Sequence, residues 1–169
     1  MSRLKHIDPD KMWLRRKVLV PLFNNPAGYW YLTRIAPRVD ATLTPATHAW
    51  LSSAPGTPLL LMTSIGARSG IERTTPLLYW SRGDDVILMA SNFGRDAHPA
   101  WLFNVRANPG VTLEFRGRRG RYRARFAEGA EHEQLWEKAK DFVANYRTYE
   151  QRAAGSRNIE VVVCEPISP

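Results

Sequence analysis

Apolar positions change spacing along the chain, and each change marks a different element. In "DPDKMWLRRKVLVPLF", Asp8 to Phe23, Leu14, Val18 and Leu22 recur at helical spacing, Leu19 and Phe23 widen the stripe, and Asp-Pro stands where an N-cap and first turn would lie. From Asn24 to Pro58 the text is rich in Pro, Gly, Ser and Thr with no sustained period, which predicts a wrapped connector with helical turns. Short apolar runs then take over. Leu59–Ser64, Leu77–Ser81 and Val86–Ser91 read as short apolar strands, with Arg82-Gly83-Asp84-Asp85 as a turn. Pro99 to Ala107 reads as a short helix closed off by Pro109.

Val111, Leu113 and Phe115 next alternate with polar neighbours, and after a Gly-Arg turn Tyr122, Ala124 and Phe126 alternate with Arg121, Arg123 and Arg125. That is a half-buried antiparallel hairpin. Glu131 to about Tyr149 reads as one helix through Leu135, Trp136, Ala139, Phe142, Val143 and Tyr146, and "IEVVVCEP" supplies a last strand. About six strands joined mostly by short turns, with peripheral helices, predict a mainly β, α+β chain built on a small closed or split antiparallel barrel. Residues 1–58 form the N-terminal helix and connector and 59–169 the barrel, in one structural domain overall.

Composition changes this picture in one respect. With 44% hydrophobic and 24% charged residues the chain is an ordinary globular one, yet its net charge is +8 and its isoelectric point near 10.1. Such a balance favours anionic partners: nucleic acid, an anionic membrane surface or a phosphorylated cofactor. A lone Cys164, no signal-peptide pattern and no apolar run of membrane-spanning length place the expected site of action in the cytoplasm.

Candidate chemistry is unevenly spread. The four histidines are scattered and no metal-ligand spacing occurs, so no metal site is expected. Cys164 alternates within a very apolar strand and reads as a buried structural thiol. The basic stripe along Asp8–Phe23 either packs on the domain or makes a peripheral membrane contact, and Pro21 with the shortness of the stripe favours packing. Arg116, Arg118, Arg119, Arg121, Arg123 and Arg125 crowd one hairpin, as a solvated face or as a track for a phosphate backbone. Gly66 to Arg73 is longer than a hairpin turn requires, and it combines glycines that admit close backbone approach with the forked donors of Arg68 and Arg73. Spacing alone leaves a phosphate loop and a plain long loop equally open.

Four motifs in order, "LLLMTSIGARSGIERTTPLLYW", "VILMASNFGRDAHPAWLFNVRANPGVTLEF", "NYRTYEQ" and "IEVVVCEP", resemble the deazaflavin-dependent nitroreductase family, which uses coenzyme F420. The match runs from about Leu59 to Pro166, and "APRVDATL" before it resembles the family's usual lead-in. The resemblance implies an FMN-binding-like split barrel that holds reduced 8-hydroxy-5-deazaflavin in a groove and passes hydride to an electron-poor small-molecule acceptor, an enone, quinone or nitroaromatic. It implies that Gly66, Arg68, Ser69 and Gly70 hold the cofactor's phosphate and glutamate tail. Arg73, Thr75, Pro76 and Leu77 would line the cofactor groove, and Ser91, Asn92, Phe93, Gly94, His98 and Trp101 would pass beside the ring.

Asn92 stands where some members carry a Lys, with Arg95 available as a substitute cation. Tyr146 and Tyr149 match two tyrosines of the family's substrate pocket, and Val143 replaces a third found in nitroimidazole-active members. Read without the resemblance, the two tyrosines equally suit packing of the helix on the barrel. Tyr146 or Ser91 is the expected donor to the oxygen that gains charge as hydride arrives. Two rival readings remain at this point: an FMN-binding split-barrel reductase, and a non-catalytic basic module on anionic membrane or nucleic acid. The expected state is monomer or homodimer.

Overall fold

The computed structural model describes residues 4, 7–8, 25–53, 57–143 and 145–167. The helix expected over Asp8–Phe23 lies, apart from Asp8, outside the described residues. Six strands, β1 (Leu59–Ile65), β2 (Glu72–Arg82), β3 (Asp85–Met89), β4 (Gly110–Phe115), β5 (Arg118–Phe126) and β6 (Val161–Pro166), close into an antiparallel barrel in the order β1-β2-β3-β6-β5-β4. The closing pair is β1 with β4, Met62 opposite Leu113.

Two apolar clusters explain the two kinds of strand pattern. Leu60, Met62, Tyr79, Leu88, Leu113, Phe115, Tyr122, Val162 and Cys164 fill the barrel interior. Trp80, Ile87, Met89, Val161 and Val163 point outward but are also buried, beneath two helices, α4 (Gly129–Phe142) and α5 (Asn145–Ala153). Strands β3 and β6 are therefore dry on both faces and read as unbroken apolar runs, whereas β5 is wet outside and alternates Arg with apolar residues. Arg116 and Gly117 close the β4–β5 hairpin, both at positive φ (49° and 75°), the geometry of a two-residue type I′ turn.

Three sequence expectations need correction. The Asn24–Pro58 connector contains a nearly continuous helix: α1 (Pro26–Trp30), a π-helical segment (Tyr31–Ile35) and α2 (Ala36–Ala46). Its prolines and glycine masked it. Asn25 caps it, accepting a hydrogen bond from the Gly28 amide at 2.9 Å, and Pro26 sits in the first turn where no amide is needed. Pro37 follows the π segment, where the Ala36 amide reaches back five residues to Tyr31 O, so its missing donor falls where the regular ladder is already interrupted.

The helix read as Glu131–Tyr149 is two helices, because Val143 turns extended (φ −130°) between α4 and α5. The loop after β1 is also shorter than expected: Arg73, Thr75 and Pro76 already belong to β2, leaving Gly66–Ile71 as the connection. A short helix, α3 (Ala100–Ala107), follows the Ser91–Pro99 segment as the sequence implied. Ile7 adds a rung beside β2, donating its amide to Ser81 Oγ (3.2 Å) and accepting from the Ser81 amide (2.9 Å).

Candidate active site

The barrel is closed but not evenly paired, and the site lies where pairing lapses. β3 pairs only with Tyr79–Arg82 of β2, so among the described residues Glu72–Leu78 has β1 on one side and no strand on the other. The Tyr79 amide donates to Pro58 O, and strand alternation then turns the backbone of Thr74, Pro76 and Leu78 away from β1. Pro76, which has no N–H, thus sits where no ladder bond is lost. Against this bare edge opens a mostly apolar cavity of about 500 Å³. One wall is Thr75, Pro76, Leu77 and Leu78, a second is Ser91, Asn92, Phe93 and Trp101, a third is Leu32, Ala36, Pro37, Asp40 and Ala41 of the N-terminal helix, and the fourth is Val143, Asn145, Tyr146 and Tyr149.

The second wall is a strained turn. Asn92, Phe93 and Gly94 are all left-handed (φ 44°, 58° and 73°), a conformation that a bulky residue such as Phe93 adopts only when its surroundings enforce it. The Asn92 amide group donates to Ala97 O (2.8 Å) and the Tyr29 hydroxyl donates to Phe93 O (3.3 Å). Gly94 is packed directly on α5: a Cβ there would lie 2.8 Å from Tyr149 Cα. Ring contacts join the turn to the fourth wall, with Phe93 edge-on to Tyr149 at 6.1 Å, Tyr149 at 5.9 Å from Tyr146, and Tyr146 stacked on Trp136 at 5.5 Å. Burial pushes the Tyr149 phenol up to about 12, so it stays protonated at neutral pH.

The glycine loop is built differently from a backbone anion nest. The amides of Gly66 and Gly70 donate to Ile71 O and Gly66 O, both at 2.9 Å, the Ile71 amide donates to Ser69 Oγ at 3.3 Å, and the Ala67 amide donates to Asn104 Oδ1 of α3 at 3.0 Å. Four loop donors are thus spent inside the protein. What the loop presents outward is the exposed Arg68, with exposed Arg73 one residue before the cavity-lining Thr74. At Gly66 a Cβ would meet Ser69 Oγ at 2.5 Å and the Ile71 carbonyl oxygen at 3.1 Å, so a larger residue would have to turn the Ser69 hydroxyl away from the Ile71 amide.

Of the residues read from the sequence, Thr75, Pro76, Leu77, Ser91, Asn92, Phe93, Trp101, Val143, Tyr146 and Tyr149 are gathered around the cavity. Gly66, Arg68, Ser69, Gly70 and Arg73 lie at the adjoining loop and strand start rather than in the wall. Gly94 backs the turn, and His98 points elsewhere, its ring edge-on to Phe103 at 6.1 Å and Nδ1 3.5 Å from Arg157 Nη1. Burial, aided by the Arg157 cation, lowers the His98 pKa below its ordinary value. Arg95 stands over the Phe93 ring at 6.0 Å.

Sequence reasoning missed the N-terminal helix wall and Asp40, whose carboxylate accepts from the Ser53 amide (2.6 Å) and hydroxyl (2.9 Å); the Asn25-Pro26 start was the available signal. Cys164 is fully buried, with its thiol pushed up to about 12 by burial, as a structural thiol should be. Among the described residues no His, Cys, Asp and Glu side chains gather as a metal site, and no helix is long and apolar enough to cross a membrane.

A sequence profile of the F420H(2)-dependent quinone reductases matches residues 38–166, which takes in all but the first two residues of α2, the whole barrel and both C-terminal helices. The chain belongs to the F420H(2)-dependent quinone reductase family. An F420H(2)-dependent quinone reductase of Mycobacterium tuberculosis (strain H37Rv) is 34% identical over 109 residues, 63% of this chain and 72% of that one. The solved structure of an F420-H2 dependent reductase superposes with a TM-score of 0.58 at 34% identity, covering 64% of this chain and 94% of that one. A structure described as a domain-swapped dimer gives 0.59 at 34% identity, covering 64% and 80%.

Membership in the quinone reductase family makes the protein an oxidoreductase whose cofactor is coenzyme F420, and so decides against FMN and against a non-catalytic basic module. The donor set fits that cofactor: an apolar slot beside a bare strand edge suits a flat ring, and Arg68 with Arg73 suits an anionic tail.

Proposed function

We propose that the protein reduces a quinone in the cavity enclosed by the β2 edge, the Ser91–Gly94 turn and α5, and that the observation carrying this is the convergence of all three on one apolar space of about 500 Å³. Reduced coenzyme F420, when bound, supplies a hydride. Pro76, Leu77, Phe93 and Trp101 would hold its ring and exclude water, and Arg68, Ser69 and Arg73 would hold its tail. Tyr146 and Tyr149 form the acceptor side, with Val143 leaving room beside them. As a quinone carbonyl oxygen gains charge, the Tyr146 hydroxyl donates a proton or a hydrogen bond to it, with Ser91 as the second candidate donor. Donors of this kind are worth roughly 100- to 10,000-fold in turnover.

The test is oxidation of reduced F420 by menadione, followed by cofactor absorbance. Tyr146→Phe is expected to lower kcat at least about tenfold with little change in menadione KM. Wild-type turnover in that variant would remove the hydroxyl from the reaction. We also propose a cytoplasmic protein that is a monomer or a homodimer, the dimer being favoured by likeness to the domain-swapped structure; light scattering after gel filtration decides between them. Peripheral membrane contact would fall to residues 8–23, and partitioning on anionic vesicles with and without that segment tests it.

A further inference from the structure

The strained turn that forms one wall of the cavity is held by a residue outside the cavity. Arg157 lies in the connector between α5 and β6. Its guanidinium donates to three backbone carbonyls that bracket the turn: Nη2 to Ser91 O at 2.7 Å, Nη1 to Ala90 O at 3.1 Å and Nε to Arg95 O at 2.9 Å. Nη1 also lies 3.5 Å from His98 Nδ1 and donates to Asn158 O at 3.4 Å. A planar fork spanning both ends of a segment is something a guanidinium does and an ammonium cannot. Left-handed Asn92 and Phe93 would relax without such a brace. Arg157 does not line the cavity, so its effect on the reaction passes through the backbone it holds.

The geometry also links the two halves of the site. Arg157 follows α5, the helix that carries Tyr146 and Tyr149, and Gly94 of the turn rests on Tyr149. We propose that Arg157 is a positioning residue that clamps Ser91–Arg95 in the conformation that receives F420, and that it sets cofactor affinity rather than acceptor affinity. The inference rests on Ser91–Gly94 being the cofactor wall.

The experiment compares Arg157→Gln and Arg157→Lys with wild type, Arg68→Ala and the surface control Arg106→Ala. Three readouts are taken on each: Kd for oxidised F420 by fluorescence titration, KM and kcat for menadione with reduced F420, and the thermal unfolding midpoint. Arg157→Gln is expected to weaken F420 binding at least about tenfold, equivalent to ~1.4 kcal/mol, while menadione KM stays within about twofold. Arg157→Lys, which restores charge but not the fork, is expected to fall between Gln and wild type.

A lower midpoint with unchanged F420 affinity would overturn the inference, because it would give Arg157 a purely structural role. Failure of both variants to fold would overturn it as well, making Arg157 a determinant of the whole fold. If affinity falls in Arg68→Ala but not in the Arg157 variants, this inference fails and the site assignment stands. If affinity is wild-type in all of them, the site assignment itself fails.

Discussion

Gly94→Ala probes the join between the strained Asn92–Gly94 turn and α5 with one methyl group. Gly94 has φ +73°, and a Cβ there would lie 2.8 Å from Tyr149 Cα, 3.0 Å from Tyr149 O and 3.2 Å from Arg152 Cβ. The left-handed conformation alone costs an alanine about 1 kcal/mol. Ordinary contact begins near 3.4 Å, so turn and helix must part by roughly 0.6 Å, and the obstacles are backbone atoms that cannot rotate away. Overpacking of this sort costs about 1–3 kcal/mol, for a total of ~2–4 kcal/mol.

The control is Gly83→Ala, where φ is +60° and an added Cβ would meet no atom within 4 Å, so only the conformational part is lost. Urea unfolding of both variants gives the difference, expected to be at least ~1 kcal/mol. Because Tyr149 and Tyr146 ride on the displaced helix, Gly94→Ala is also expected to lower menadione turnover while Gly83→Ala does not. Equal stability losses in the two variants, with turnover intact in both, would refute the close-packed join.

Further expectations follow from charge and burial. Hydrogen bonds from Arg125 and Arg82 hold the Glu131 carboxyl down at about 2, so its contribution is present above about 4.5 and is lost as pH falls through the folded value. The network is partly exposed and screened by salt, so Glu131→Gln should cost about 1 kcal/mol at pH 7 and flatten that acid slope in urea titrations. His98 is lowered in the folded state, so the unfolded chain takes up its proton first and stability should decline as pH drops below about 6.5, a slope that His98→Asn removes. Cys164 should stay unreactive toward a thiol reagent until the protein unfolds; rapid labelling under native conditions would contradict its burial.

The strands were legible because burial writes itself into sequence period. Doubly buried β3 and β6 appear as solid apolar runs and singly buried β5 as an Arg-apolar alternation, so the strands could be located, although polar Glu72–Thr75 hid the first part of β2. The helix over Pro26–Ala46 was hidden because its three prolines and Gly28 are read as breakers, and only their positions, at the helix start, after the π segment and in the last turn, make them harmless. The break at Val143 falls within a continuous helical apolar pattern, and the helix after it carries Tyr146 and Tyr149 of the cavity wall. The cavity-lining residues singled out from the sequence lie in contiguous motifs. Asp40 and Arg157 were not legible, since their roles depend on partners 13 and 62–67 residues away in the chain.

If cofactor and quinone meet between the β2 edge, the strained turn and α5, a crystal structure of the protein with oxidised F420 will show where. Ring density is expected between Pro76–Leu77 and Ser91–Phe93, with Tyr146 on the open side and the tail running to Arg68. Density for the ring on another face of the barrel, with this cavity filled only by solvent, would contradict it.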